Sequence, residues 1–180
     1  MCNLKGLFID PGTRVSGWII WDGEKCYERG LDANKDIKEM ILSSKNQIDY
    51  MGIEKFENRS GMNFAKGNKF IAAGSEDFHW AIFWMGIFCA TVESVNIPWE
   101  FIIRKEVKLH LTYSITASDS DIHAAIIEKL GKKSTKKFNN EMLQDKIYGS
   151  ITEDIWQALG LGLYYTGTGR HTKFIRPSGH

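Results

Sequence analysis

The chain has 180 residues, 43% hydrophobic and 25% charged, with a formal net charge of +1. That length suits one domain with a full sheet-and-helix core, and the composition is that of an ordinary soluble globular protein. A charge so near zero means that composition alone does not announce a nucleic-acid binder. Three widely spaced cysteines, Cys2, Cys26 and Cys89, show no CxxC spacing. They argue against a disulfide framework or a zinc site and fit a reducing cytoplasm. The N-terminus lacks a basic segment followed by a signal-like apolar core. The most apolar stretch, 80–92, falls short of the roughly 20 residues that cross a bilayer. The expectation is therefore a soluble, cytoplasmic protein.

The first apolar stretch reads GLFIDPGTRVSGWIIW. Leu7-Phe8-Ile9 is the length of one buried strand, ends on Asp10, and stops at a Pro11-Gly12 turn. A second apolar run, Val15–Trp21, follows at hairpin distance. Asp10 is thereby left at a strand end, where an unpaired carboxylate is costly to bury and a bound cation would remove the cost. A turn-capping aspartate is the simpler alternative. Asp22-Gly23 turns the chain into a third strand over 25–30. Asp32-Ala33-Asn34 can cap a helix over 35–43, where Ile37, Met40 and Ile41 recur at helical spacing. A strand over 48–56 then carries Glu54 near its C-terminal end. Residues 57–74 form a polar loop in which Arg59, Lys66 and Lys69 alternate with Phe64 and Phe70. Such interleaving suits the gripping of a DNA strand, against the alternative of a solvated loop.

Ser75-Glu76-Asp77 opens a helix running to about Asn96. Trp80, Phe83, Trp84, Ile87 and Phe88 place apolar residues on nearly every side of it, so burial all round is expected, with His79 packed in the core. A core beneath a sheet would cover part of that surface and a homodimer interface the rest. Ile97-Pro98 ends the helix before a strand over 99–103. Arg104, Lys105 and Lys108 follow at once, and His110 stands apart from other ligand-type residues. Asp119 and Asp121 read as charges at the N-terminus of a helix and not as metal ligands. That helix ends at Gly131, a favoured C-terminal residue. Five lysines and no acid occupy 129–137. A last helix begins at 151 or 152 and runs to 165. The organisation is one domain over 1–166 with a tail over 167–180.

Four stretches, in order, resemble the RuvC-type Holliday-junction resolvases of the ribonuclease H-like superfamily. IDPGTRVSGW resembles their opening, and Ile53-Glu54 followed by KFENRSGMNFAKGNKF falls where they place the next carboxylate. VKLHLTYSITASDSDIHAAIIEKLG resembles their basic loop and helix, and TEDIWQALGLGLYY their terminal catalytic helix. The resemblance implies an α/β, ribonuclease H-like fold: a central mixed five-stranded sheet flanked by helices, in a homodimer. It implies that Asp10, Glu54 and Asp154 gather to bind Mg²⁺, with Mn²⁺ able to substitute, and hydrolyse phosphodiesters in four-way junctions or other branched DNA. Hard oxygen ligands suit that ion, and two ions roughly 4 Å apart can activate water and stabilise the leaving oxygen. Asp10 would bridge them. Lys108 matches a family lysine expected at a phosphate near the cut. Arg104, Lys105, Arg59, Lys66, Lys132 and Lys133 would cradle the arms, and Phe56 or Phe64 would wedge at the crossover.

The departure lies in the last helix. The family commonly carries two acids, or a histidine and an acid, three residues apart. Here Gln157 stands three after Asp154 and Ile151 three before it. Glu153 or Gln157 is therefore the candidate further ligand. That imperfection admits a branched-DNA binding protein impaired in cleavage, and a less selective flap or fork nuclease is the nearest enzymatic alternative. Asp-Pro-Gly-Thr also resembles the first phosphate loop of actin-like ATPases, but a second glycine-rich Asp motif is missing and the chain is about half as long.

Overall fold

A computed structural model describes residues 4–44, 47–56, 76–131 and 153–170, with Glu153 placed by its backbone. Five strands form one sheet. They are β1 (Gly6–Asp10), β2 (Val15–Trp21), β3 (Cys26–Ala33), β4 (Tyr50–Lys55) and β5 (Trp99–Ile103), in the order β3-β2-β1-β4-β5. The first three are antiparallel neighbours, whereas β4 runs parallel to both β1 and β5. Parallel pairs need long crossovers. The chain supplies α1 (Asn34–Ser43) before β4 and α2 (Glu76–Ser94) before β5. Then come α3 (Arg104–Thr112), α4 (Asp119–Lys129) and α5 (Glu153–Gly167).

Strand side chains alternate between the two faces. Leu7, Ile9, Trp18, Ile20, Met51 and Ile53 point to one side, into a core closed by Ile37 and Ile41 of α1 and Phe88 and Val92 of α2. Phe8, Ile19, Trp21, Tyr50 and Ile102 point to the other, against Val107 and Leu111 of α3, Ile126 of α4, and Trp156, Leu159 and Tyr165 of α5. Covering both faces explains why the central strands are almost continuously apolar. Tyr165 stacks on Tyr50 at 5.2 Å and meets Phe8 edge-on at 5.6 Å, pinning α5 over the centre of the sheet.

Three sequence expectations change on folding. Helix α2 is not buried all round: Ala81, Phe88, Thr91 and Val92 face the core, while Trp80 and Phe83 remain 47% and 51% exposed. One sheet can cover only one side of a helix. His79 lies on the exposed side and not in the core, beside the Phe78 ring. The Asp32-Ala33-Asn34 tripeptide does not cap α1, since its N-cap residue is Ala33 with no side-chain bond. Asn34 is buried and spent elsewhere, accepting from the Ser16 hydroxyl at 2.6 Å and donating to the Gly12 carbonyl at 3.0 Å. Burial obliges an amide to satisfy both its donor and acceptor ends.

Ser118 and Asp121 form a reciprocal capping box on α4, and Gly131 takes the left-handed conformation (φ 67°) just past its end. Cys26 and Cys89 are free, and burial pushes both thiols up to about 11, so they stay protonated at neutral pH. No helix among the described residues is long and apolar enough to cross a membrane. The start of the 167–180 stretch is held, because Arg170 reaches Glu100 and Glu106, each at 3.2 Å. Residues 171–180 and Cys2 lie outside the described residues.

Candidate active site

The sheet register brings the first two carboxylates together. Ile9 of β1 pairs with Ile53 of β4, so the next residues, Asp10 and Glu54, leave adjacent parallel strands side by side. Both sit on the face of Phe8 and Tyr50, beneath α5. The turn behind Asp10 is fixed by the Asn34 bonds and by the Gly12 N–H, which donates to the Ser16 hydroxyl at 3.0 Å. Asp10 is thus aimed by a rigid strand and a tied turn.

Asp154 arrives from the first turn of α5, and a missing side chain admits it. Gly17 is the β2 residue opposite Asp10. A Cβ on Gly17 would fall on the Asp154 carbonyl and lie 2.7 Å from its Cβ. Only glycine lets the helix lie that close to the strand.

The charges are crowded. Burial, and then the neighbouring Glu54 and Asp154, hold the Asp10 carboxyl well above the usual carboxylate range. Arg104 pulls the other way, and Asp10 and Glu54 are close enough to share a hydrogen bond. Burial also raises Asp154, again against the pull of Arg104. Arg104 reaches both oxygens of Glu54, at 3.3 and 3.4 Å, through Nη1, and Asp119 Oδ1, at 2.8 Å, through Nη2. Burial opposes its charge, but Glu54, Asp10 and Asp119 outweigh burial and keep the guanidinium cationic. Gln157 is buried, and its Nε2 donates to the same Asp119 oxygen at 3.5 Å.

Hard oxygen donors fit a divalent cation, which would offset both the burial that raises Asp10 and Asp154 and the repulsion that Asp10 meets from Glu54. Among the described residues no three Asp, Glu, His or Cys side chains close around a single point. The fit is thus to the Asp10–Glu54 pair, with Asp154 coupled to it through the field.

No protein-family model matches the chain, and no curated protein matches its sequence. Solved structures do match. The RuvC structure of Thermus thermophilus superposes with a TM-score of 0.64 over 94% of this chain and 97% of that one, at 13% identity. The chain has a RuvC-type fold. The structure of T. thermophilus RuvC in complex with Holliday junction substrate gives a TM-score of 0.61 over 93% and 96%, also at 13% identity. Ydc2, the yeast mitochondrial Holliday junction resolvase, gives 0.45 over 96% of this chain and 83% of that one, at 13% identity.

Within this RuvC-type fold the remaining sequence candidates separate. Lys108 donates to the Ala117 carbonyl at 2.6 Å, tying α3 to the segment that enters α4, and Lys105 is exposed on the same helix. Phe56 meets Phe78 edge-on at 6.2 Å. His110 packs edge-on against Tyr164. Arg59, Phe64, Lys66, Lys132 and Lys133 lie outside the described residues, as does the Glu153 side chain.

Two roles were missed in the sequence. Asp119, read as a helix-terminal charge, is bound by Arg104 and Gln157 at the rim of the site, and only Asp121 takes part in the capping box. Arg104, grouped with outward-facing cations, points into the carboxylates. No sequence signal marked that turn inward: Glu54 meets Ile102 across the parallel strands, and this register, set only by the fold, brings Arg104 at the start of α3 to Glu54.

Proposed function

We propose that this protein is a Mg²⁺-dependent, structure-selective endonuclease that hydrolyses phosphodiesters in four-way junctions or other branched DNA. The convergence of Asp10, Glu54 and Asp154 at the C-terminal ends of the inner strands β1 and β4 of a RuvC-type sheet carries the reading. A divalent cation bound there supplies concentrated positive charge for phosphoryl chemistry at neutral pH. Asp10 and Glu54 would hold it from adjacent parallel strands. Asp154 would complete its surroundings from α5. Lys105 and the basic residues of 57–74 and 129–137 would contact phosphates, which positions DNA by shape and not by sequence.

A cleavage panel tests the reading. Four-way junction, fork, flap and linear duplex are offered under Mg²⁺, and the four-way junction is expected to be cut fastest. Equal rates on all four would assign the same site to a less selective nuclease. A second reading has its own observation behind it: Arg104 occupies Glu54, and Gln157 is neutral where an acid would add charge. These favour a branched-DNA binding protein impaired in cleavage. Tight junction binding with no nicking in Mg²⁺ or Mn²⁺ would establish it.

Asp154→Asn is expected to remove activity and Glu153→Gln to lower it only modestly. Residues three apart share a helix face, so Asp154 and Gln157 face the cluster together, whereas the neighbouring Glu153 is turned about 100° away. Both variants are compared across one Mg²⁺ titration. An inactive Glu153→Gln beside an active Asp154→Asn would reverse the assignment.

The exposed apolar side of α2 belongs to the same proposal. Trp80, Ile82 and Phe83 present a surface that a second copy of the chain would cover, giving two sites for two opposed strands. Phe83→Glu places a charge in that contact and is expected to leave a folded monomer by light scattering at micromolar concentration. A wild-type protein that is monomeric with and without junction DNA would refute the dimer.

A further inference from the structure

Helix α3 and the turn beyond it carry an exposed apolar surface that leads away from the candidate active site. We propose that this flank, built from Lys105, Lys108, Leu109, Tyr113 and Ile115, is a stacking platform for unpaired bases where the arms of a branched DNA part. The inference rests on the branched-DNA reading above and names the part of the substrate that this flank takes.

Val107 and Leu111 turn into the core, so Lys105 and Leu109, one helical turn apart, share the outward face of α3. Leu109 is 52% exposed, Tyr113 89% and Ile115 56%. Large apolar side chains clustered at the surface mark a binding site, where scattered ones would not. The exposure does not come from a loose turn. The Tyr113 N–H donates to the Leu109 carbonyl at 2.9 Å, the Thr112 hydroxyl to the Lys108 carbonyl at 2.8 Å, and Lys108 Nζ to the Ala117 carbonyl at 2.6 Å. A turn tied in this way has little freedom left to lose when a ligand binds. Tyr113 also holds a φ of 59°, a left-handed conformation that a bulky residue takes at a cost and glycine takes freely. Glycine would suit the backbone better, so the fold gives no reason for the ring.

The chemistry of the flank selects its occupant. Lys105 is exposed, and the ammonium of Lys108 has three N–H donors, of which the Ala117 carbonyl takes one. The acid of α3, Glu106, is turned toward α5, where Tyr164 and Arg170 donate to it at 2.6 and 3.2 Å. Cations beside an aromatic ring suit a nucleotide strand, whose phosphates meet the charge while its bases stack. The same helix begins at Arg104, which reaches Glu54, so the platform is continuous with the candidate site. At 1.5 Å per residue it runs about 12 Å from Lys105 to Tyr113.

Binding of a single-stranded thymidine oligomer, a linear duplex and a four-way junction, measured by fluorescence anisotropy in EDTA, tests this without cleavage. Tyr113→Gly deletes the ring and suits the left-handed backbone. It is expected to melt no lower than wild type and to bind the oligomer about tenfold more weakly, with linear duplex bound as before. Tyr113→Trp, which restores a ring, is expected to hold the oligomer as wild type does. Unchanged oligomer binding by Tyr113→Gly would overturn the platform, as would an equal loss on linear duplex. Unchanged binding together with an altered oligomeric state by light scattering would give the surface to a second copy of the chain instead. Photocrosslinking of a 5-iodouracil-substituted oligomer to wild type decides even if Tyr113→Gly fails to fold: an adduct on Tyr113 is expected, and adducts only elsewhere would overturn the proposal. A wild type that binds the oligomer yet cuts no DNA in Mg²⁺ would sink the nuclease reading and leave the platform standing. One that binds none of the three DNAs would sink both.

Discussion

Asp10→Asn is expected to lower junction cleavage at least about a hundredfold, the scale of losing one preorganised electrostatic group, while making the folded protein more stable at neutral pH. The two effects share one cause. Burial beside Glu54 and Asp154 raises the Asp10 carboxyl in the folded state, so the fold binds its proton more tightly than the unfolded chain does. Below the unfolded value of about 3.9 both states hold the proton and no penalty arises. As pH climbs from there toward the raised folded value, stability is lost, because folding then opposes ionisation. Asparagine never ionises and escapes that loss. The melting temperature of Asp10→Asn should therefore exceed wild type at pH 7, and the gap should close as pH falls below about 4. Mg²⁺ should narrow the gap from the other side, since an ion that binds only the folded wild type stabilises it by mass action. A variant that cuts within tenfold of wild type, or one that melts lower at pH 7, would contradict this account of the site. Junction binding should survive, because the phosphate contacts come from other residues.

Gly17→Val is expected to harm both stability and cleavage, though it changes no charged group. Its Cβ would fall on the Asp154 backbone, which belongs to α5 and cannot yield as a flexible side-chain end could. Forcing extra carbons into a closed contact costs typically 1–3 kcal/mol, here by lifting the first turn of α5 from β2. That turn carries Asp154, and a displacement near 1 Å at a catalytic group can cost about a hundredfold in rate. Gly160→Ala in the same helix is the control, since its Cβ would meet Val107, Leu111 and Ile126 at ordinary distances of 3.5 to 3.7 Å. It should keep near wild-type cleavage. A fully active, fully stable Gly17→Val would show that α5 need not approach β2 so closely.

Much of the molecule is local enough to read directly. The short apolar runs Leu7-Phe8-Ile9 and Val15–Trp21 declare strands, the Pro11-Gly12 turn leaves Asp10 at a strand end, and Ser118 with Asp121 announces α4. Each depends on residues within one turn or one hairpin of each other, where backbone geometry and side-chain spacing decide the outcome. Asp10, Glu54 and Asp154 could be named as candidates because the four stretches resembling RuvC-type resolvases occur in order. What only the tertiary structure decided is how charges and surfaces pair across long separations. Arg104 and Glu54 are 50 residues apart and meet because β4 and β5 run parallel in one particular register. Asp119 joins them 15 residues on because α3 folds back toward the sheet. The apolar flank of α2 stays exposed because one sheet covers one side of a helix. A sequence shows which side chains carry charge or apolar surface. Which of them meet depends on strand order and helix placement, and these are settled by burying both faces of the sheet at once.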